Sequence, residues 1–291
     1  MVTILVTGAN GQVGSELQHL AQFFNNFTFI FTDVAELDIT DEAEVMRFAK
    51  THPFDYCINC AAYTAVDKAE TNVELARKIN VTGAVNLAKA SHSNNALLFQ
   101  ISTDYVYHNT QNTPFKEGDP TNPQGVYAQT KLDGDLAAQQ YNANTMVIRT
   151  SWVYSTFGHN FVKTMLRLGK DRDKLTVIFD QIGTPTYARD LARAMLQIIQ
   201  KIENEEIAKD VTNGVFHYSN EGVTSWYDFA QAIFDVEKIN CKVSPIETKD
   251  YPTPAKRPPF SLLNKGKIKA TFGIEIPYWR ESLKKCLEQL R

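Results

Sequence analysis

The sequence has no long hydrophobic run and no cluster of basic residues. None of its apolar stretches approaches the roughly 20 residues that a membrane-spanning helix needs. The net charge is −3, so nothing indicates a nucleic-acid partner or a membrane surface. The first residues read as a strand and have no signal-peptide layout. We therefore expect a cytoplasmic protein with neither of those partners.

Cysteine is also scarce, with four in 291 residues. Cys57 and Cys60 have the spacing of a redox or zinc-binding pair, but they lie in residues 55–62, which read as a buried strand. Residues three apart on a strand face opposite sides of a sheet, and a redox pair needs a helix N-terminus to stabilise its thiolate. The histidines show no metal-binding spacing. We expect structural cysteines and no metal site.

A glycine-rich turn stands between a predicted strand, residues 2–6, and an amphipathic run, residues 15–24. Glycine lets the backbone approach phosphate groups, and a helix N-terminus supplies N–H donors and a favourable dipole. The alternative is a purely structural turn. The order of elements favours a site for a dinucleotide pyrophosphate. Its candidate residues are Gly8, Gly11, Gln12, Val13 and Gly14.

An acidic residue, Asp33, follows the second predicted strand, residues 27–31. In dinucleotide-binding folds an acidic side chain at this point hydrogen-bonds the adenosine ribose hydroxyls. A carboxylate there also repels a 2′-phosphate, so Asp33 favours NADH over NADPH.

Tyr127 and Lys131 open the helix predicted for residues 127–141. Side chains four apart share a helix face, and a nearby cation favours the phenolate and brings the tyrosine pKa toward neutral pH. An isolated pair with this spacing is more often solvated. Here a predicted strand, residues 97–101, also delivers Thr103 to the edge of the sheet where ligands bind. The combination favours one site that brings Thr103, Tyr127 and Lys131 together.

Strands and helices alternate over residues 1–150, which predicts an α/β fold with a Rossmann-like, doubly wound parallel sheet. The pattern is less regular over residues 151–291. We expect a smaller, mixed α/β substrate-binding unit there, partly discontinuous, with parts of residues 176–205 joining the first unit. Residues 108–126 are rich in proline and glycine and are predicted to form a loop over the active site.

Thr103, Tyr127 and Lys131, together with the glycine-rich turn, resemble the extended branch of the short-chain dehydrogenase/reductase superfamily. The resemblance implies that Tyr127 donates a proton to a substrate carbonyl that accepts hydride from a nicotinamide. It also implies that Thr103 orients the carbonyl oxygen and that Lys131 binds the nicotinamide ribose. In the superfamily, a segment of small residues after the third strand packs against that ribose; its counterparts here are Ala61, Ala62, Tyr63 and Thr64.

The superfamily holds the adenine where this sequence has Asp38 and Ile39. The alternative for Asp38 is a role at the entry of the next helix, which Asp41 could cap. Asn80 lies inside a predicted helix, where asparagine is a poor helix former. The resemblance implies that Asn80 braces the active-site strand, and a solvated polar face is the alternative.

Longer motifs narrow the resemblance. They are GQVG at 11–14, AVDKAE at 65–70, STDYVY at 102–107, RTSWVY at 149–154, NF at 160–161, DQIGTPT at 180–186 and RP at 257–258. These motifs resemble those of the dTDP-4-dehydrorhamnose reductase family and cover nearly the whole chain. The resemblance implies that NADPH or NADH reduces the 4-keto group of a nucleotide sugar, dTDP-4-dehydro-β-L-rhamnose, to give dTDP-L-rhamnose.

The same resemblance supplies three candidate substrate contacts besides Thr103. Asp104 and Trp152 match family motifs, and Arg257 fits a diphosphate because a guanidinium binds phosphate with two hydrogen bonds. A core aromatic is the alternative for Trp152, and a surface arginine in a proline-rich loop is the alternative for Arg257.

Two departures from the family pattern affect assembly and cofactor choice. Some members form a dimer bridged by magnesium through glutamates; Glu16 matches one position, but Arg189 stands where the second glutamate is expected. A cation there repels a metal and could pair with Glu16, although Asp190 is a possible substitute ligand. Magnesium is therefore doubtful, and we expect a monomer or a metal-independent homodimer. Residues 9–10 include no basic partner for a 2′-phosphate.

Two rival functions stay open. A nucleotide-sugar epimerase or dehydratase has the same fold, but dehydratases usually carry a second carboxylate after Asp104, where this chain has Tyr105. A non-catalytic protein similar to the regulatory subunit of methionine adenosyltransferase is the other rival. The intact Thr103, Tyr127 and Lys131 favour an enzyme.

Overall fold

The computed structural model describes residues 2–291, and the first half of the chain alternates strands and helices. The strands there are β1 (Val2–Thr7), β2 (Phe27–Thr32), β3 (Tyr56–Asn59), β4 (Leu97–Thr103) and β5 (Thr145–Thr150). The helices are α1 (Gln12–Ala21), α2 (Glu42–Thr51), α3 (Val66–Ala69), α4 (Val73–Arg77), α5 (Ala84–Ser93) and α6 (Val126–Tyr141). A π-helical turn, Lys78–Gly83, joins α4 to α5, and a short 3-10 turn, Asp104–Val106, follows β4.

The second half has shorter strands. These are β6 (Val153–Tyr154), β7 (Lys174–Ile178), β8 (Ile182–Gly183), β9 (Thr186–Tyr187), β10 (Gly214–His217), β11 (Thr224–Ser225) and β12 (Lys242–Ile246). Its helices are α7 (Phe161–Asp171), α8 (Ala188–Glu203), α9 (Trp226–Glu237), α10 (Gly266–Phe272) and α11 (Trp279–Leu290). Further 3-10 turns are Lys209–Thr212 and Thr248–Asp250.

The central sheet of residues 2–291 has six parallel strands in the order β2-β1-β3-β4-β5-β10. From β1 the chain moves to β2 on one side and then crosses to β3 on the other. Ligands of open α/β sheets bind at such a switch point, at the carboxyl ends of the strands. The predicted Rossmann-like class is confirmed, and the switch point lies where Gly8 and Ala61 follow β1 and β3.

A boundary at residue 150 does not describe this sheet, because β10 is its sixth strand and pairs with β5. Helix α8 also packs on the sheet, in the same hydrophobic core as α1, β1 and β4. The opposite face is covered by α2 and α5, whose apolar side chains meet Leu5 and Leu98. Local periodicity did not reveal that β10 joins this sheet, because β10 is a four-residue strand that depends on its long-range partner.

A buried polar row crosses the sheet near the carboxyl ends of its strands. The Thr7 hydroxyl donates to Asn59 Oδ1 at 2.8 Å, and Asn59 Nδ2 donates to Gln100 Oε1 at 2.8 Å. Asn59 Oδ1 also accepts the N–H of Ala61 at 3.1 Å. These bonds satisfy the buried groups and fix the end of β3 against its neighbours.

Cys57 and Cys60 face opposite sides of the sheet, as predicted: Cys57 packs with Leu5 and Leu98, and Cys60 packs against the core formed with α1 and α8. Burial raises the pKa of the Cys57 thiol to about 12. A buried thiol with that pKa does not have the reactivity of a redox cysteine. Within residues 2–291 no helix is both long and apolar enough to cross a bilayer.

Candidate active site

The glycine-rich turn is closely packed against the end of β3. Gly8 has a φ of 65°, and a Cβ built on it would lie 2.6 Å from the backbone nitrogen of Ala61. A Cβ on Gly14 would lie 2.4 Å from the carbonyl oxygen of Gly8. Helix α1 begins at Gln12, three residues before the predicted start at position 15, so its first N–H groups adjoin the turn. Any side chain at Gly8 or Gly14 would displace backbone atoms.

A cavity of about 520 Å³ lies beside this turn at the switch point. Seven residues of the predicted cofactor set line it: Gly8, Gly11, Asp33, Asp38, Ile39, Ala61 and Ala62. Sequence reasoning missed the others, which are Asn10, Val34, Leu37, Thr40, Cys60, Leu75, Lys78 and Ile79. Val34 and Leu75 are apolar yet 72% and 48% exposed, as expected of walls for a flat aromatic ring.

Asp33 is held by backbone donors at the mouth of this cavity. Its Oδ2 accepts the N–H of Asn10 at 2.9 Å, and its Oδ1 accepts the N–H of Val34 at 2.8 Å. The carboxylate therefore links the end of β2 to the glycine-rich turn, and each oxygen keeps capacity for another donor.

The two readings of Asp38 coexist in part. Asp38 lines the cavity, and its Oδ1 accepts the N–H and the hydroxyl of Thr40 at 2.9 and 2.7 Å. The Thr40 hydroxyl, followed by its N–H, lowers the Asp38 pKa. The cap of α2 is Asp41, which accepts the N–H of Glu44 at 2.9 Å.

Besides Tyr127 and Lys131, five predicted cofactor residues are not among those that line the cavity: Gln12, Val13, Gly14, Tyr63 and Thr64. Gln12 contacts the second half of the chain, accepting from Asn160 Nδ2 at 3.0 Å, and Val13 packs into the hydrophobic core. Tyr63 and Thr64 lie beyond the cavity lining. Roles for these residues toward a cofactor would use the backbone or the open rim, and they stay predictions.

Asn80 lies buried in the π-helical turn, and it ties the segment after β3 to α6 rather than bonding the active-site strand β4, as the resemblance had implied. Its Oδ1 accepts the N–H of Tyr63 at 2.8 Å, and its Nδ2 donates to the Thr130 hydroxyl at 3.0 Å. The alternative of a solvated polar face is wrong, because the side chain is 2% exposed. Single π turns inside helices are frequent at functional sites.

Thr103, Tyr127 and Lys131 meet at the carboxyl end of β4. Tyr127 and Lys131 lie in the first two turns of α6, as predicted. Lys131 is buried, and its Nζ donates to the Ile101 carbonyl at 2.7 Å. The Thr103 hydroxyl accepts the N–H of Tyr105, whose ring packs edge-on against Tyr127 with centroids 5.6 Å apart.

The expected lowering of the Tyr127 pKa is not found in this structure. Burial raises that pKa to about 12, a hydrogen bond with Thr103 acts against the rise, and the charges of Asp104 and Asp135 add to it. Burial lowers the pKa of Lys131, while the charge of Asp135 raises it. The site therefore holds Tyr127 as a neutral phenol, which is the form of a proton donor.

Asp104 is buried beside this group, and its Oδ2 has no hydrogen-bond partner among residues 2–291. Its Oδ1 accepts the Thr103 hydroxyl at 3.2 Å. Burial raises the Asp104 pKa to about 7, while the nearby hydroxyls of Ser261 and Thr103 lower it. An unused acceptor at this position fits a substrate hydroxyl or a water molecule.

Trp152 has a strained backbone, with a φ of 48° in a non-glycine residue. Its ring stacks on Trp226 with centroids 3.7 Å apart and an interplanar angle of 13°. A Cβ on Gly183 would lie 2.9 Å from the Trp152 ring and 3.2 Å from the hydroxyl of Ser261, which lies near Asp104. Trp152 is therefore close to the site and half-buried, and Trp226 is a neighbour that no local pattern could reveal.

Arg257 is already engaged. Its NH1 and NH2 donate to both oxygens of Asp67, at 3.1 and 2.7 Å, and NH1 also donates to the Thr253 hydroxyl at 2.6 Å. This links α3 to the proline-rich C-terminal loop. A diphosphate contact by Arg257 stays a prediction and would require it to share or release Asp67.

Glu16 and Arg189 form a buried ion pair, which confirms the predicted pairing. Arg189 Nε lies 2.6 Å from Glu16 Oε2, and the Ser155 hydroxyl donates to Glu16 Oε1 at 2.6 Å. Asp190, the possible substitute ligand, accepts from Asn220 Nδ2 at 2.8 Å and from Ser282. In the part of the chain that the structure describes, no three His, Cys, Asp or Glu side chains cluster as a metal site.

The cleft fits a dinucleotide. The close glycine packing leaves room for phosphate groups at the start of α1, and apolar walls flank the far end of the cavity. The cavity reaches Cys60, Ala61 and Ala62 at the end of β3, and β3 pairs in the sheet with β4, whose end carries Thr103.

Comparison with known proteins agrees with this geometry. A family model described as RmlD substrate binding domain matches residues 2–291. The dTDP-4-dehydrorhamnose reductase of Aggregatibacter actinomycetemcomitans is 40% identical, covering 98% of this chain and 98% of that protein. Crystal structures of dTDP-4-dehydrorhamnose reductases from Clostridium acetobutylicum and, in complex with NADP, from Bacillus anthracis both superpose with a TM-score of 0.93. The first is 44% identical and covers 99% of both chains; the second is 34% identical and covers 99% of this chain and 100% of that one. The chain belongs to the dTDP-4-dehydrorhamnose reductase family.

Proposed function

We propose that the protein reduces the 4-keto group of dTDP-4-dehydro-β-L-rhamnose, with NADPH or NADH, to give dTDP-L-rhamnose. One observation carries the proposal: Thr103, Tyr127 and Lys131 lie together at the end of β4, next to the strand end that lines the cavity, in a chain similar to named reductases over its whole length. The NADP complex of the Bacillus anthracis relative supports the cofactor class.

When bound, the reduced nicotinamide supplies the hydride for the carbonyl carbon. Tyr127 supplies the proton for the carbonyl oxygen, since its phenol is neutral at physiological pH. The Thr103 hydroxyl orients that oxygen. The buried ammonium of Lys131 binds the ribose and offsets the negative charge that Tyr127 acquires after donation.

Asp104 and Trp152 are the proposed sugar contacts. The free Oδ2 of Asp104 would accept a sugar hydroxyl, and the indole of Trp152 would form an apolar wall. Arg257 would reach the diphosphate from the rim. We also propose a monomer or a metal-independent homodimer, because Arg189 occupies Glu16.

The direct test supplies NADPH or NADH together with dTDP-4-dehydrorhamnose generated in situ, and follows both cofactor absorbance and the sugar product. We expect stoichiometric loss of the reduced cofactor and formation of dTDP-L-rhamnose. An epimerase would change the sugar without net cofactor consumption, and a regulatory protein would do neither. Either result would overturn the proposal.

A further inference from the structure

Helix α6 carries a second charged side chain one turn beyond Lys131. Asp135 is four residues later, so the two share a helix face, and they are 1% and 3% exposed. The Ser102 hydroxyl donates to Asp135 Oδ2. Oδ1 is buried and has no hydrogen-bond partner among residues 2–291. Leaving half of a buried carboxylate unsatisfied is costly, so this arrangement calls for a compensating role.

The partner cation is also incompletely satisfied. An ammonium has three donors, and the hydrogen bond that the structure gives Lys131 goes to the neutral carbonyl of Ile101. Among residues 2–291, Asp135 has Ser102 on Oδ2 and no hydrogen-bond partner on Oδ1, so no hydrogen bond joins it to Lys131. Their charges nonetheless act on each other, since each favours the ionised form of the other.

Other charged groups face this pair from the neighbouring strands and turn. Arg149 lies beside Ser102 in the register of β4 and β5 and also attracts Asp135, but its NH1 donates to the Tyr107 hydroxyl at 2.5 Å. Cys60 at the end of β3 faces Lys131, and Asp104 faces Tyr127. Asp135 is thus a negative charge that acts on both Lys131 and Tyr127.

We propose that Asp135 is a positioning residue whose buried carboxylate keeps both catalytic groups protonated. It stabilises Lys131 as an ammonium and Tyr127 as a neutral phenol. A reductase needs both forms before each turnover, since Tyr127 gives up a proton and Lys131 must be charged to bind the ribose. The inference rests on the proposed reductase function.

The decisive variant is Asp135→Asn, which has nearly the same shape and keeps an acceptor for Ser102 while removing the charge. The alkaline limb of the pH profile of kcat/KM should move down by about one pH unit, so activity above that limb should fall about tenfold. The affinity for NADPH, measured by nicotinamide fluorescence across pH, should weaken over the same range. Asp135→Glu, which keeps the charge, should restore the limb.

Two controls separate charge from shape. Asp133 lies on a partly exposed face of the same helix and pairs with Arg77 at 2.9 Å. Asp133→Asn should leave the pH profiles of kcat/KM and of NADPH affinity unchanged. Ser102→Ala removes the hydrogen bond to Asp135 but keeps the carboxylate, so the alkaline limb should stay in place.

Superimposable profiles for Asp135→Asn and the wild type would overturn the inference. So would Ser102→Ala moving the limb as far as Asp135→Asn, because the hydrogen bond rather than the charge would then matter. The NADPH affinity can be measured without any turnover of substrate. A wild type that binds NADPH with this pH dependence but reduces no sugar would contradict the proposed function and leave the inference standing.

Discussion

Glu16 and Asp135 are both buried carboxylates on helices, and their surroundings differ sharply. Glu16 lies on α1, where both oxygens are satisfied by Arg189 and Ser155 at 2.6 Å. Asp135 lies on α6, on the opposite face of the sheet, with one oxygen bonded to Ser102 and the other free among residues 2–291. The closed pair connects elements distant in sequence, so we expect its loss to affect stability. The open one lies beside the proposed catalytic residues, where unsatisfied charge can act on a reaction.

The largest expected effect is on catalysis, from removing the Tyr127 hydroxyl beside Asp135. Tyr127→Phe deletes the proton donor and no phosphate contact, and general acid catalysis typically contributes about 10²–10⁴-fold. We expect kcat/KM to fall within that range while the Kd for NADPH stays near that of the wild type. A variant within about threefold of wild-type kcat/KM would remove Tyr127 from the mechanism.

Opening the closed pair should affect stability and leave catalysis intact. Glu16→Gln keeps an acceptor for Ser155 but leaves the Arg189 charge buried without a partner, which typically costs about 3–5 kcal/mol. Urea unfolding should show this loss in the free energy of unfolding, with kcat/KM close to wild type. Replacing both residues, by Glu16→Leu with Arg189→Met, should recover much of the loss. Unchanged stability in Glu16→Gln would mean that the pair is not structural.

Neutralising Asp135 should change the free energy of unfolding in the opposite direction. Burial raises the Asp135 pKa to about 6, so the folded state binds this proton more tightly than the unfolded state does, although the group is mainly ionised above pH 6. That contribution to stability is complete below the unfolded pKa of about 4 and is lost as pH rises through 6. Asp135→Asn should therefore be more stable than wild type at pH 8, by about 1–3 kcal/mol, and similar at pH 4. Thermal unfolding at the two pH values checks this, and equal Tm differences at both would contradict it.

These contrasts could be predicted from the sequence only in part. The Rossmann-like parallel sheet, the glycine-rich turn and the positions of Tyr127 and Lys131 on α6 followed from local periodicity and spacing. The addition of β10 to the sheet and the stacking of Trp226 on Trp152 depend on long-range packing that no local window contains. The Tyr127 pKa was expected to fall, because a nearby lysine can be read from spacing whereas burial cannot.

Asp33 extends the contrast to a carboxylate at the mouth of the cavity, with a smaller expected effect. It accepts backbone donors from Asn10 and Val34 and would meet the adenosine ribose. Asp33→Ala should shift the ratio of kcat/KM toward NADPH, because it removes repulsion of the 2′-phosphate. Steady-state kinetics with both cofactors measure the shift, and an unchanged ratio would show that Asp33 points elsewhere.

Added magnesium tests whether a metal can displace Arg189 from Glu16, and we expect it to leave the oligomeric state unchanged. Glu16 is occupied by Arg189, and Asp190 by Asn220 and Ser282. Light scattering with magnesium and with EDTA should give the same mass. A mass that doubles only with magnesium would show that the metal displaces these partners.

The most direct test of the account is the fate of a label carried by the cofactor. Reduced nicotinamide cofactor deuterated at the transferable position would be supplied with dTDP-4-dehydrorhamnose, and the product examined by NMR. Direct hydride transfer with proton donation by Tyr127 predicts one deuterium at sugar C4 for each cofactor oxidised, and a rate that collapses in Tyr127→Phe. Product without deuterium at C4, or label transfer that survives Tyr127→Phe at nearly the wild-type rate, would contradict it.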